Sequence, residues 1–397
     1  MKKTPWITPQ WWISRYNFPN STKLPSKVML HDTTLRDGEQ TPGVVFRKEE
    51  KIEIARLLDE FGVERIEAGM PSVSKEDAEA IQEIVKRKNN SEIFCFCRAN
   101  DKDIQLAADC GVDGVVIEVP SGLPRLKYQF NWSEDEVIEK SCSAIAKAKE
   151  HGLKVLFFPY DTSRAEQAFL IRLLTEVEQS AKPDSVAVVD TTGSASPMAI
   201  RYLVSLVKNT VSCPVEIHVH SDFGLATANT LAGIEAGAEV AHVCVNGLGE
   251  RCGNAALEQI VVTLKVFHGL GNYKYNMLSE LSEQVAEFSG VPRSRLQPIV
   301  GDFAFTREIG MGMDMVTKQP RVIYPIIPEM VGRNTNVVMG KKSGKSSVEF
   351  KLAEKNISMT AEQIETMVAQ VKEMGIEKKR CLTEDEFDSI ASALLQK

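Results

Sequence analysis

The stretch Lys48-Glu49-Glu50-Lys51-Ile52-Glu53-Ile54-Ala55-Arg56-Leu57-Leu58-Asp59-Glu60-Phe61-Gly62-Val63-Glu64-Arg65-Ile66-Glu67 carries one full step from helix to strand, and its repetition decides the fold. Ile54, Leu57, Leu58 and Phe61 fall at i, i+3, i+4 and i+7, which lays one apolar stripe along a helix over Lys48 to Phe61. Gly62 follows where a left-handed terminus is expected, and Glu64 to Glu67 reads as a short strand. The same unit recurs from about residue 28 to about residue 270. Its eight strand candidates are Val28 to His31, Glu64 to Glu67, Glu92 to Cys97, Gly114 to Val119, Lys154 to Phe158, Ser185 to Val189, Val215 to Val219 and Glu239 to Val243. Helical stretches between them end at Gly62, Gly111, Gly152 and Gly237. Such a repeat predicts an α/β protein built as a (β/α)8 TIM barrel. The rival, a doubly wound open sheet, lacks the Gly-x-Gly-x-x-Gly turn after its first strand.

The 397-residue chain, 43% hydrophobic, is long enough to bury one barrel of about 250 residues and an appendage. The reading divides it into an N-terminal arm at 1–27, the barrel at 28–274, and a C-terminal linker or lid with a mainly helical subdomain at 275–397. Pro292, Pro298, Pro320, Pro325 and Pro328 mark the start of that appendage. Thr360 to Met374 and Leu382 to Leu395 read as amphipathic helices, with capping boxes Thr360/Gln363 and Thr383/Glu386. Trp6, Trp11 and Trp12 are too many large aromatics for a free tail, so the arm is expected to dock on the barrel or on a second subunit.

A formal charge of −7 without a basic cluster excludes a general nucleic-acid or anionic-membrane binder. The eight cysteines show no repeated Cys-x-x-Cys spacing, and Cys95 and Cys97 alternate in an apolar run, so buried free thiols in a reducing compartment are expected. Met1 to Ile13 lacks an apolar core of signal-peptide length, and nowhere do about 18 apolar residues run together, so the expected place is the cytoplasm.

A barrel of this kind carries its chemistry on the loops after the C-terminal ends of its strands. The polar residues obey that rule. Arg36, Asp37 and Gln40 follow the first strand, Glu67 ends the second, and Arg98 and Asn100 follow the third. Asp161 and Arg164 follow the fifth, Asp190, Thr191 and Thr192 the sixth, and Asn246, Glu250, Arg251 and Asn254 the eighth. The seventh delivers His218-Val219-His220-Ser221-Asp222-Phe223-Gly224, in which His218 and His220 point to the same side of one strand. Two imidazoles so placed, with a carboxylate from the turn after the first strand, suit one divalent ion.

Three motifs in order resemble the homocitrate synthase, isopropylmalate synthase and citramalate synthase family, relatives of 3-hydroxy-3-methylglutaryl-CoA lyase. They are Asp32-Thr33-Thr34-Leu35-Arg36-Asp37-Gly38-Glu39-Gln40, His218 to Ala226, and Asn246-Gly247-Leu248-Gly249-Glu250-Arg251-Cys252-Gly253-Asn254-Ala255. The resemblance implies an ion held by Asp37, His218 and His220, with Asn254 as a further ligand in the lyase branch. Mg²⁺, Mn²⁺, Co²⁺ and Zn²⁺ all remain open for such a mixed ligand set. It implies an acyltransferase that joins acetyl-CoA, or a related short acyl-CoA, to a 2-oxo acid and releases CoA, and a homodimer whose appendage covers the partner's barrel. Arg36 would steady the alkoxide, Thr191 the oxo acid's carboxylate, and Glu67 and Arg98 would sort substrates by their far end; Gln40 and Arg164 complete the expected substrate contacts. Asp222 is expected to support a histidine or to cap the following helix.

The chain also departs from the family pattern. Tyr160-Asp161-Thr162-Ser163-Arg164 has a tyrosine where relatives carry the glutamate of Glu-Asp-Ala-x-Arg, and Arg307-Glu308-Ile309-Gly310-Met311-Gly312 lacks both histidines of His-Glu-Ser-Gly-Ile-His. Ser221 stands where relatives have asparagine, while Tyr324 matches a retained tyrosine. An ordinary phenol is a poor base at neutral pH. The expected catalytic set is therefore Arg36, Tyr324 and either Tyr160 or Asp161 adjusted by Arg164. The competing readings are a metal-dependent lyase or aldolase and a metal-binding regulator on a relic barrel. Gly340-Lys341-Lys342-Ser343-Gly344-Lys345-Ser346 is one residue short of a P-loop and is read as a solvated loop, the alternative being a contact with CoA phosphates.

Overall fold

A computed structural model of the chain describes residues 6–17 and 24–396, and of Thr317 only the backbone. The described residues fall into two compact units, one over residues 24–293 and the other over 294–396 together with 6–17.

The first unit is a closed barrel of eight parallel strands in chain order, each followed by a helix. The strands are β1 Met29–Asp32, β2 Arg65–Glu67, β3 Glu92–Arg98, β4 Gly114–Pro120, β5 Lys154–Tyr160, β6 Ser185–Asp190, β7 Val215–Val219 and β8 Val240–Val243. Around them run α1 Lys48–Phe61, α2 Lys75–Arg87, α3 Asp101–Asp109, α4 Glu134–Glu150, α5 Gln167–Ser180, α6 Pro197–Thr210, α7 Ala226–Glu235 and α8 Leu257–Thr263. Closure comes from β1 pairing with β8, His31 opposite His242, and this excludes the open sheet. Ile54, Leu57, Leu58 and Phe61 are all buried, and Gly62 ends α1 at φ 107°, a conformation that a side chain would strain. Inside the barrel Phe94, Phe96, Val116, Leu156, Phe158 and Val189 form an apolar cluster on the β3 to β6 side. The opposite side of the interior is polar.

The boundary expected after residue 274 falls instead after Arg293. A ninth helix, α9 Leu278–Ser289, packs on α1, Lys274 donates its backbone N–H to Phe61 O at 3.0 Å, and Asn246 Nδ2 reaches Ser282 O at 2.8 Å. These contacts tie the segment to the barrel.

The second unit builds its core from Met313, Val337, Val348, Met367, Val371 and Phe387. Its long helices are α10 Lys345–Glu354, α11 Ala361–Lys378 and α12 Glu384–Leu395, and both expected capping boxes are formed. The P-loop-like segment precedes α10, and its Ser343 hydroxyl accepts from Gly340 N at 2.9 Å. The N-terminal arm packs within this unit. Trp12 N donates to Pro325 O, Ile327 N to Gln10 O, and Trp11 is buried and bridges to Ile326. The cysteines are free thiols; Cys95, Cys97, Cys110 and Cys244 are buried as expected, whereas Cys252 is exposed. Among the described residues no helix is long and apolar enough to cross a membrane. Hydrogen exchange should show protected amides at Trp12, Ile13 and Ile327, and Trp11→Ala should remove that protection while leaving the β-strand amides of residues 92–98 slow.

Candidate active site and metal centre

Period-two alternation along β7 turns Glu216, His218 and His220 to the same interior face, and on β2 it does the same for Arg65 and Glu67. At the C-terminal rim, Asp37 Oδ2 lies 3.2 Å from His218 Nε2 and 3.6 Å from His220 Nε2, and the two Nε2 atoms are 3.4 Å apart. All three side chains are buried. Asp37 Oδ2 and Asn254 Oδ1 are buried without a hydrogen-bond partner among the described residues. Asn254 Nδ2 donates to Leu248 O at 3.0 Å, which leaves its oxygen free to accept. Two imidazole nitrogens and one carboxylate oxygen, all within 4.8 Å of one another, fit a divalent ion. Burial by itself would raise the Asp37 carboxyl, but Arg36 and the facing imidazoles hold it well below the usual carboxylate range; burial takes His220 down to about 4. The set is thus ready as carboxylate and neutral imidazoles, the forms that bind metal.

The loop that carries Asn254 is tied to the end of β7: Ser221 N donates to Gly253 O at 2.9 Å, and His220 bridges to Asn254. Gly249, at φ 151°, is required here, since a Cβ on it would stand 2.1 Å from Asn254 Nδ2.

Behind the ligands runs a closed circuit of buried polar contacts. Arg36 Nε donates to Glu67 Oε1 at 2.7 Å; Glu67 Oε2 is 3.3 Å from His31 Nε2; His31 Nδ1 is 3.5 Å from Arg65 Nη1; Arg65 donates to Glu216 Oε1 at 2.7 Å. Glu216 Oε2 is 2.8 Å from His242 Nε2, and His242 Nδ1 is 3.2 Å from His218 Nδ1; Arg36 Nη1, 3.5 Å from Asp37 Oδ2, closes the circuit. Glu216 needs a donor, so His242 carries its proton on Nε2, and its Nδ1 then accepts from His218 Nδ1. That leaves His218 Nε2 bare toward the ligand cluster, the arrangement in which a second residue orients a metal-binding histidine. Burial opposes charge throughout, yet Arg36 and His31 hold Glu67 at about 2, and Arg65 and His242 hold Glu216 far below its ordinary value. His31, Glu216 and His242 are close enough to bracket a second ion, but the Arg65 guanidinium occupies that place.

The cavity above the ligands measures about 280 Å³ and is lined by Arg36, Gln40, Tyr160, Thr191, His218 and His220 among others. It therefore gathers many of the expected residues, but not all. Arg98 projects outward, 61% exposed, in a two-pronged pair with Asp103. Glu67 lies beneath Arg36 rather than on the cavity wall. Asp161 is fully buried and held by Arg164 through both oxygens, at 2.8 and 2.7 Å, so neither lines the cavity. Tyr160 lines it, but burial, with Glu118 next, raises its phenol further from neutrality. Asp222 neither supports a histidine nor caps a helix: it pairs with Arg251 at 2.8 Å. Tyr324 belongs to the second unit, where it packs edge-on against Phe305 and its buried hydroxyl has no hydrogen-bond partner among the described residues. Sequence reasoning missed the cavity residues Glu118, Arg125 and Gln129. Glu118 had a signal, as the lone charge in the apolar strand Gly114-Val115-Val116-Ile117-Glu118-Val119.

The geometry defines a class: a (β/α)8 barrel whose C-terminal rim presents two histidines and an aspartate as a ligand set, with an arginine beside them. The profile of HMGL-like proteins matches residues 27–285, and that of the homocitrate synthase post-HMGL domain matches residues 299–379. Homocitrate synthase AksA of Methanopyrus kandleri is 40% identical over 374 residues, 94% of each chain. (R)-citramalate synthase CimA of Methanocaldococcus jannaschii is 42% identical over 349 residues, 88% of this chain and 71% of that protein. A crystal structure of the Bacillus subtilis HMG-CoA lyase superposes with a TM-score of 0.61 at 20% identity, covering 68% of this chain and 96% of that one, a likeness of fold. The chain belongs to the HMGL-like family and, within it, to the homocitrate, citramalate and isopropylmalate synthase group.

Replacing His242 with Phe should weaken Mn²⁺ or Zn²⁺ binding by about 10–100-fold, because His218 loses the acceptor that fixes its tautomer. Asp37→Ala should abolish specific binding. Calorimetric titration of the metal-free protein checks both, and equal affinity in the His242 variant would remove the orienting role.

Proposed function

We propose that this chain is a divalent-metal-dependent acyltransferase that condenses acetyl-CoA, or a related short acyl-CoA, with a 2-oxo acid, giving a 2-hydroxy-2-carboxymethyl acid and free CoA. The observation that carries it is the joint burial of Asp37, His218 and His220 beside Arg36 in a chain about 40% identical to curated condensing synthases. The residues that would hold the ion are Asp37, His218 and His220, with Asn254 completing the set. When bound, a divalent ion supplies Lewis acidity toward the ketone and carboxylate oxygens of a 2-oxo acid.

The rest of the work falls to side chains. Arg36 is held by Glu67 and sits over Phe96, its guanidinium carbon 4.4 Å from the ring centre, and lines the cavity where it would steady a growing alkoxide. Gln40, 3.5 Å from Arg36 Nη1, and Thr191 are the uncharged polar groups suited to the oxo acid's carboxylate. Phe96, Phe130 and Phe158 give the cavity apolar walls that limit water around a reactive carbanion. A lyase reading draws only on the fold, since the lyase structures are 19–22% identical.

The enzyme is further proposed to act in the cytoplasm as a homodimer. Trp6 and Trp12, packed edge-on at 6.5 Å and each about two-fifths exposed on the second unit, support a partner surface there. Light scattering should give twice the chain mass, and a monomer would end that part of the reading. Mn²⁺- or Mg²⁺-dependent release of CoA thiol from acetyl-CoA should occur with one member of a panel of 2-oxo acids, and should be lost with chelator or in Asp37→Ala. No release with any acid, while metal still binds, would overturn the condensation reading.

A further inference from the structure

Condensation requires that a proton leave the methyl group of the acyl thioester, and the two bases expected from sequence are disqualified by their surroundings. Tyr160 is a buried phenol whose acidity falls further on burial, and Asp161 has both oxygens taken by Arg164 and does not face the cavity. The remaining carboxylates can be taken one by one. Asp37 belongs to the ligand set, Glu67 is fastened under Arg36, and Glu250 is half exposed and pairs with Arg251 at 2.8 Å. Glu118 is left. It lines the same cavity as Arg36, Thr191, His218 and His220, is half-buried, and makes no hydrogen bond or ion pair among the described residues.

Its position in the sheet sets it beside Tyr160. In the β4/β5 register Pro120 lies opposite Tyr160 and Glu118 opposite Phe158, so Glu118 stands one pleat below Tyr160 on the adjacent strand and on the same interior face. A carboxylate placed there projects into the cavity that one on β5 would reach from the side.

Resting on the condensation reading above, we propose that Glu118 is the general base of this enzyme. Its carboxylate takes a proton from the methyl carbon of the thioester, and the C–H electron pair becomes the enolate. The enolate carbon forms the new bond to the ketone carbon of the oxo acid, the ketone π pair moves to oxygen as the alkoxide beside Arg36, and the proton passes from Glu118 to that alkoxide through solvent. Water then cleaves the thioester C–S bond, yielding a carboxylate, a proton and the CoA thiol. The electrostatic setting agrees: burial raises the Glu118 carboxyl to about 7 against the pull of Arg36 and Arg125, with Glu67 and Asp37 adding to the rise. A base of that strength suits a neutral medium.

The test compares the intact protein with Glu118→Gln and Glu118→Asp in CoA release with the oxo acid that the unmodified enzyme uses, and titrates Mn²⁺ and that acid into each. Glu118→Gln should lose at least about 100-fold in kcat, with metal and oxo-acid affinities unchanged. Glu118→Asp should keep part of the turnover, and unchanged metal binding certifies the fold of both. In D₂O, Glu118→Gln should also fail to exchange the acetyl methyl hydrogens wherever the unmodified enzyme does. A raised KM with kcat intact would make Glu118 a recognition group and overturn the proposal. So would full turnover in Glu118→Gln beside its loss in Tyr160→Phe. If the unmodified enzyme releases no CoA with any acid, the condensation reading fails first, and the base assignment falls with it.

Discussion

The circuit of buried contacts from Arg36 through Glu67, His31, Arg65, Glu216, His242 and His218 to Asp37 is the constraint on which the candidate site rests. Charges taken from water are tolerated only when each finds a partner, and removing one member of a buried pair leaves an uncompensated charge that costs about 3–5 kcal/mol. Here each member answers two neighbours, so no single side chain turns without breaking contacts on both sides. The result is a set of ligand and substrate-facing groups whose rotamers and tautomers are fixed before anything binds. The apolar half of the interior, Phe94, Phe96, Phe158 and Val189, keeps the dielectric low beside it and so strengthens those contacts.

How much of this was legible differs from element to element. The eight strands were readable to within two residues at most ends, because each is a short β-branched run closed off by a polar loop, and because the helix stripe of α1 is unambiguous. His218 and His220 were readable because both sit on one strand, where period-two spacing is a local property. Glu216 lies in the same phase two residues earlier, but inside a run that is otherwise apolar. Its reason for being charged lies on β2 and β8, at Arg65 and His242, and no local pattern connects residues that far apart. Arg98 and Asp161 failed in the opposite sense. Their rim positions were right, but each found a nearby ion partner, Asp103 and Arg164, that a sequence does not rank above a ligand.

The barrel also separates the candidate ligands from the groups that line the rest of the cavity. Asp37, His218 and His220 come from β7 and the β1 loop, whereas Glu118, Tyr160 and Arg125 belong to β4, β5 and the segment after β4. Adjacent strands whose inward residues share one cavity are interchangeable hosts for a functional group, so one can lose a carboxylate while its neighbour supplies it. This is how one scaffold accommodates variation in proton chemistry without disturbing its ligand set.

The arm over residues 6–17 shares its unit with 294–396, donating from Trp12 N to Pro325 O and accepting at Gln10 O from Ile327 N. The ribosome therefore makes one half of that pairing before the barrel and the other only after it. Until the later segment is made, Trp11 lacks the strand partner Ile326 that it bridges to in the folded unit. Assembly of the second unit therefore follows synthesis of the barrel and joins segments that precede and follow it in the chain.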